Sequence, residues 1–288
     1  MTIWNLGSIN SDFVYSVPHI PSPGETLAST GRAVFLGGKG ANMSVAAARA
    51  AARVAHIGAI GTDGRWAVER LMEYGVDTRH IAEIDVETAH AVIAVDTNGE
   101  NSIILHQGAN VQIPAYVLEQ ALTQAETGDT FVFQNETNLQ VPAASLAAKM
   151  GLRVAYAAAP FDSGAVMAVL PYLDFLIMNE VEAAQLKDAT GQGPQDITVK
   201  DVIVTLGARG ATWFGPDGPI NVPAHKVTPI DTTGAGDTFT GYVLAGLDRG
   251  QPMLQAMQMA SKAAAIMVTR RGTADVIPDL ADVQSFSD

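Results

Sequence analysis

The sequence predicts an α/β fold: a doubly wound, mostly parallel sheet flanked by helices, with a small antiparallel β sheet set apart from it. Three observations carry this expectation. From about residue 130 onward, the buried-strand runs "TFVFQ", "RVAYAA", "DFLIM" and "DVIVTLG" alternate with helical periodicity. Strand–helix repetition of this kind builds parallel sheets whose strands are apolar on both faces. Residues 1–6, "MTIWNL", read as one further short buried strand. Residues of about 12–36 and 90–106 instead alternate apolar with polar, and in "HAVIAVDTNGENSIIL" the pair Asn98-Gly99 turns one strand into the next. Those two segments supply the strands of the small sheet.

The helices follow from period and composition. "ANMSVAAARAAARV" is a helix after a glycine loop, and Asp237 to Gly250 carries Phe239, Tyr242, Val243, Leu244 and Leu247 at roughly helical spacing. "MLQAMQMASKAAAIMV" has alanine and methionine on most faces, which predicts a buried helix with methionine as core filling. No repeat, low-complexity tail or long linker interrupts the chain, so residues 1–288 read as a single domain. Hydrophobic residues at 48% against 16% charged mark a globular protein. A formal charge of −13 argues against a nucleic-acid or anionic-membrane partner. It leaves room for a phosphorylated ligand, which needs only a cleft of N–H groups and one or two cations. The absence of cysteine excludes disulfides and thiolate chemistry, and the six histidines include no H-E-x-x-H spacing. The opening "MTIWNLGSINSDF" lacks the pattern of a secretory signal, and the alanine-rich run around 41–60 is broken by Arg49, Arg53 and His56. A cytoplasmic protein is expected.

Sheets of this class bind ligands beyond the carboxyl ends of their strands, and polar or glycine-rich segments follow the strand runs. "GSINSDF" offers Asn10 and Asp12, which also suit a simple turn. "LGGKGANMS" brings Gly38, Lys39 and Asn42 ahead of a helix, with a spacing that matches neither a Walker A loop nor G-x-G-x-x-G. "FQNET" places Glu136 after a strand, as a site acid or a solvated one. "MNEVEAAQL" places Asn179 three residues before Glu182, a spacing that also fits a helix N-cap. "TLGARG" supplies Thr205, Gly207, Arg209 and Gly210, for nucleotide phosphates or for a tight turn. In "DTTGAGDTFTG" the stretch Thr233-Gly234-Ala235-Gly236 is a loop stripped of side chains before a helix. Unpaired N–H groups at a helix start suit an anion, so Asp237 just inside must do something other than neutralise charge.

The order and spacing of these segments resemble the ribokinase or PfkB-type family of carbohydrate kinases over nearly the whole chain. "DTTGAGDTFTG" is the most specific piece and "GGKGAN" the next, while "GENSIILHQGAN" with the N-terminal strands resembles the ribokinase branch. The resemblance implies a ribokinase-like fold with a β lid, and transfer of the γ-phosphoryl group of ATP to a sugar hydroxyl, D-ribose giving ribose 5-phosphate. It implies Asp237 as the base, with the N–H groups of Gly234, Ala235, Gly236 and Asp237 as an anion hole. Asn10, Asp12, Gly38, Asn42 and Glu136 would hold the sugar, with Asp12 reading a diol; Lys39 either adds positive charge near the phosphates or is solvated. Asn179 and the loop Thr205 to Gly210 would meet the ATP phosphates, with Glu182 ordering Mg2+ through water. Asp231, Thr233, Met267, Arg270 and Gly272 align with a K+ site built mainly of backbone carbonyls.

Three departures from the family pattern stand out. Val276 replaces a hydroxyl that ribokinases often offer to the cation, which counts against potassium activation. Ser261 stands where a histidine commonly lies beside the adenine. Between "NEVEAAQLKDATG" and "DVIVTLG" the chain is about one helix short. The resemblance also implies a homodimer through the lid, and Val14, Val34, Val92 and Ile104 are candidates for buried lid positions, with the face of each strand open. Rival readings are another acceptor (a ketohexose, a sugar acid or a nucleoside) or a binding regulator without turnover. Asp237 and the intact glycine loop speak against the regulator, since a binding module needs no base there. A nicotinamide dehydrogenase would require a G-x-G-x-x-G after the first strand.

Overall fold

A computed structural model describes residues 1–286. The first half of the chain runs β1 (Thr2–Leu6), β2 (Asn10–Ser16), β3 (Gly31–Gly37), α1 (Lys39–Arg49), β4 (Arg53–Ile60), α2 (Arg65–Glu73), β5 (Asp77–Glu83), β6 (His90–Val95), β7 (Asn101–His106) and α3 (Ala115–Leu122). Then come β8 (Thr130–Gln134), α4 (Gln140–Lys149), β9 (Arg153–Ala157), α5 (Ser163–Val169), β10 (Phe175–Asn179), α6 (Glu180–Thr190) and β11 (Asp201–Thr205). The chain closes with β12 (Ala211–Gly215), β13 (Gly218–Val222), α7 (Ala235–Asp248), α8 (Met253–Val268) and α9 (Leu280–Ser285).

The main sheet has the order β13-β12-β11-β10-β9-β8-β1-β4-β5, parallel from β11 to β5, with β12 and β13 antiparallel at one edge. From β1 the chain winds outward to β4 and β5, then returns to β8 and winds the other way. The switch therefore lies between β1 and β8, and such a switch opens a crevice at the strand carboxyl ends. Alternate strand residues feed two cores. Ile3, Val54, Val132, Ile177 and Ile203 pack with α1, α7 and α8 on one face. Trp4, Ile57, Phe131, Tyr156 and Met178 pack with α3, α4 and α6 on the other. Among the described residues no helix is long and apolar enough to cross a membrane.

α7 runs through the first core with everything from Asp237 to Gly246 buried. A Cβ on Gly241 would lie 2.6 Å from Ala46 Cβ and 2.7 Å from the Met43 carbonyl, so this glycine and the alanines of α1 let the two helices touch backbone to side chain. That close approach brings the start of α1 beside the start of α7. α1 itself is shorter than its alanine-rich sequence suggests. Ala51 takes a left-handed φ of 64° and the Ala52 N–H returns to the Ala47 carbonyl, closing the helix and freeing Arg53 to begin β4.

The small sheet has the order β3-β2-β6-β7. Its two outer pairs are antiparallel, and its central pair, β2 with β6, is parallel. Both central strands leave the main body in the same direction, β2 from β1 and β6 from β5, which sets that seam. Residues 17–30 between β2 and β3 are not strand, and Pro18, Pro21 and Pro23 account for the break. Val34, Phe13, Val92 and Ile104 form one row across the sheet. Of the candidate lid positions in the single chain, Val34 is 40%, Val92 37% and Ile104 70% exposed, while Val14, on the other face, is half-buried. The reason is the pleat, since the inward positions belong to the row holding Asp12 and Ala91. After α6, whose C-cap Gly191 is left-handed, only a 3-10 turn at Pro194–Asp196 leads to β11, as the short sequence there predicts.

Candidate active site

Two glycine loops precede helices at the strand carboxyl ends, and their hydrogen bonds separate their uses. Gly38 caps α1 with a φ of 92°, and a Cβ there would lie 2.8 Å from the Ser8 carbonyl. The first-turn donors of α1 are already engaged. Lys39 N–H reaches Glu136 Oε2 at 3.2 Å, Gly40 N–H reaches Ser8 Oγ at 3.1 Å, and Ala41 N–H reaches the Ser8 carbonyl at 2.9 Å. α7 differs. Its cap Gly234 has φ 76°, and Ala235 N–H turns back on the Thr232 carbonyl at 3.3 Å, while Gly236 and Asp237 N–H find no acceptor among the described residues. A Cβ at Gly236 would meet nothing within 4 Å. The open anion seat is therefore at α7, with Ala235 withdrawn from the four donors expected there.

Asp237, 8% exposed, sits one residue inside that seat, and Asn42 Nδ2 donates to its Oδ2 at 2.9 Å. The two helices meet in this bond. On the α1 side lie the residues expected at a sugar. Asp12 packs its carboxylate against Gly37, where a Cβ would collide with it. Asn110 Nδ2 donates to Asn10 Oδ1 at 2.8 Å, and Ser8 Oγ donates to Glu136 Oε2. Burial first, and Glu136 second, push the Asp12 carboxyl up to about 7. Burial likewise raises Glu136 against the pull of Lys39 and Ser8, and raises Glu182. Lys39 is no solvated lysine: it is half-buried, and Asp237, with Glu136 and Glu182, holds its ammonium above the ordinary range against burial.

On the other side a cavity of about 340 Å3 is lined by Thr205, Gly207, Gly210, Gly236, Phe239 and Ser261, among others. Ser261 Oγ donates to the Pro223 carbonyl at 3.1 Å. Asn179 and Glu182 form a reciprocal N-cap on α6, with Asn179 Oδ1 accepting from Glu182 N–H at 2.8 Å and Glu182 Oε2 from Asn179 N–H at 2.7 Å. The cap reading and the site reading coexist, because Glu182 stays within electrostatic reach of Lys39 and Asp237. Arg209, expected at phosphates, is ion-paired with Glu180 on the surface. A larger and more open groove of about 820 Å3, between Arg153, Asp174, Lys200 and Trp213, lies at the amino ends of the strands, remote from both glycine loops.

Of the expected cation residues, Asp231 Oδ1 accepts from Thr233 N–H at 2.9 Å and Oδ2 from Gly272 N–H at 3.3 Å, so these three come together. Met267 reaches the glycine loop through its side chain, its Sδ meeting Thr238 Oγ1 at 2.6 Å, while Arg270 turns to Asp282. Val276 offers only methyl groups to Gly272, the nearest at 3.4 Å from a Cβ placed there. Among the described residues no cluster of three or more His, Cys, Asp or Glu could hold a metal. The sequence reading missed Ser8 and Asn110. Both lay in segments it quoted, "GSIN" and "HQGAN", but a serine on a carboxylate and an amide on an amide have no sequence signature.

The fold has close parallels. The family model for pfkB family carbohydrate kinases matches residues 3–280. A ribokinase of Haemophilus influenzae is 35% identical over 302 aligned residues, covering 99% of this chain and 98% of the relative. The crystal structure of ribokinase from Cryptococcus neoformans in complex with ADP superposes with a TM-score of 0.85 at 34% identity, covering 98% of each chain. The structure of Arabidopsis thaliana ribokinase complexed with ribose and ATP gives 0.86 at 26% identity over 99% of each. A family match across almost the whole chain, on a sheet whose switch point carries an open anion seat with an acid beside it, means that this protein belongs to the pfkB family of carbohydrate kinases.

Proposed function

We propose that the protein is a cytoplasmic ribokinase, transferring the γ-phosphoryl group of ATP to the primary hydroxyl of D-ribose. The observation that carries it is the Asn42–Asp237 bond, which puts one acid at the boundary between a polar pocket and the cavity at α7. Identity of 35% to a ribokinase, and similarity to one complexed with ribose and ATP, support ribose as the acceptor. In this reading Asp237 takes the hydroxyl proton and the Gly236 and Asp237 N–H groups hold the transferring charge. Asp12 accepts vicinal hydroxyls, while Glu136, Asn10, Asn42 and the Gly38 backbone orient the sugar. Lys39 balances the carboxylates around the base. Asn179 and the Thr205–Gly210 loop contact the nucleotide. Glu182 keeps one oxygen outside its cap, so its donor type and place suit Mg2+ held through water, which would neutralise phosphate charge. Asp231, Thr233, Met267, Arg270 and Gly272 form the candidate K+ site. Measuring ADP release over pentoses, hexoses, sugar acids and nucleosides, with and without K+, tests this; D-ribose should give the highest kcat/KM, and a better acceptor would displace it.

The raised Asp12 carboxyl makes ribose binding pH-dependent. Sugar hydroxyls donate to a carboxylate, so each binding event must first remove the proton that Asp12 holds below about 7. The ribose Kd should rise as pH falls from 8 to 6, by up to about tenfold per unit below the pKa. Asp12→Asn should bind weakly with a flatter profile. The sign for stability is the reverse. The unliganded fold keeps a proton that the unfolded chain has lost between the ordinary carboxylate value of 3.8 and about 7, so stability falls as pH rises through that window. Asp12→Asn should therefore raise the Tm of the sugar-free protein at pH 8. Unchanged Tm and unchanged pH profile would remove Asp12 from the site.

The exposed row Val34–Phe13–Val92–Ile104 supports a homodimer through the small sheet, which would also act as a lid over the sugar. Light scattering at micromolar concentration should give about twice the chain mass of 30.1 kDa, and Ile104→Asp should give the monomer. A wild-type monomer rejects the dimer without touching the kinase reading.

A further inference from the structure

Beneath the sugar-side loop runs a line of polar side chains through an otherwise apolar interior. Asn5 on β1, His56 on β4 and Gln134 on β8 are 0% exposed, and Ser44 on α1 is 1% exposed. Burying amides and an imidazole is costly unless they are partnered, and here they bond one another, although among the described residues Gln134 Oε1 has no partner. Gln134 Nε2 donates to Asn5 Oδ1 at 2.9 Å, and Asn5 Nδ2 donates to both the Gly40 carbonyl and Ser44 Oγ at 2.8 Å. Ser44 Oγ lies 2.8 Å from His56 Nδ1, and His56 Nε2 lies 3.0 Å from the Gly7 carbonyl. Complete burial depresses the His56 ring to about 4, so the ring is neutral near pH 7. A carbonyl can only accept, so Nε2 carries the single ring proton and Nδ1 accepts from the Ser44 hydroxyl. From Gln134 through Asn5, Ser44 and His56 the donors then point one way, ending on the Gly7 carbonyl, with a branch from Asn5 to the Gly40 carbonyl.

Those two glycines are in backbone contact. A Cβ on Gly7 would lie 2.5 Å from Gly40 Cα. Directly above them, Ser8 Oγ holds Gly40 N–H and donates to Glu136, and Lys39 N–H bonds the same carboxylate. Two residues on from Gly40 is Asn42, the partner of Asp237. No atom of the buried line is placed on a ligand by any of these bonds, yet its end at Gly7 and its branch to Gly40 grip the backbone that seats Glu136 and Asn42.

We propose that His56, acting through Ser44 and Asn5, is a positioning residue for phosphoryl transfer: it clamps Gly7 to the first turn of α1 and so sets the sugar-side wall of the site. The proposal rests on the kinase reading, and the wild-type turnover that tests that reading is measured in the same series, on whichever acceptor the wild type uses best. His56→Phe keeps a buried ring but strands the Gly7 carbonyl and Ser44; Ser44→Ala removes one hydroxyl and is the milder break. In each variant, assayed well below its Tm, KM for the sugar should rise and kcat fall, together at least about tenfold in kcat/KM, the worth of one lost buried bond. KM for ATP should stay within about twofold, because the nucleotide cavity lies on α7 and α8. His56→Gln, which can again donate to Gly7, should recover part of the loss. The double variant should lose no more than the worse single one, since both break one chain of bonds. A role in stability alone predicts lowered Tm with kcat and both KM values unchanged, and that result overturns the proposal. Additive losses that weaken ATP and sugar equally overturn it too.

Discussion

Asp237→Asn is expected to fold, bind ATP and sugar, and lose turnover by about two to four orders of magnitude, the usual worth of a general base. Folding should survive for a specific reason. Asp237 receives the Asn42 amide, and Asn42 Oδ1 is buried without a partner among the described residues. An asparagine at 237 can keep the accepting oxygen where it is, or turn its own NH2 towards that orphan. Either orientation leaves α1 and α7 joined, so a loss of rate would report the chemistry and not the packing. The anion seat also remains, which is why ATP should still bind. Turnover by stopped assay, with Tm and ligand titrations on the same preparation, checks this. A folded variant running at a rate near wild type would remove Asp237 from the role of base.

Gly236→Val is expected to cost about two to three orders of magnitude in turnover, comparable to losing one donor of an anion hole. Open space faces the missing Cβ, with no atom of the described residues within 4 Å. Valine is also no worse than glycine as a helix former, so Tm should hold or rise slightly. Such a side chain would project into the cavity that Gly236 lines, where a bound ligand would meet it. Gly241→Val is the contrasting control, because its side chain would run into Ala46 and the Met43 carbonyl where α1 meets α7. That variant should lose stability, by a few kcal/mol as for other overpacked cores. Wild-type turnover in Gly236→Val would mean that the loop is an ordinary helix entry.

The same contrast separates what was legible in the sequence from what was not. Local chemistry was readable: apolar runs became β8 to β11, "GARG" became a turn at a strand end, "GAGD" became the start of α7, and Asn179 with Glu182 became an N-cap. Resemblance across five ordered segments then pointed to the family. Long-range facts had no such signal. Whether Lys39 is solvated or enclosed by Asp237, Glu136 and Glu182 depends on four segments meeting, and the parallel β2–β6 seam depends on where β1 and β5 release the chain. The face of a lone strand is ambiguous by one residue, so the row holding Ile104 could be assigned outward only once Asp12 was placed inward.

By itself, then, the sequence determined the layered fold, the order of its elements and the residue types available at the strand ends, because period, turn chemistry and glycine spacing act over a few neighbouring residues. Only the tertiary structure decided which helix start is free to hold an anion. The donors of α1 are consumed by Ser8 and Glu136, residues 31 or more positions away, while those of Gly236 and Asp237 at α7 are left open. Hydrogen bonds between distant segments are settled by packing, and packing is a property of the whole chain.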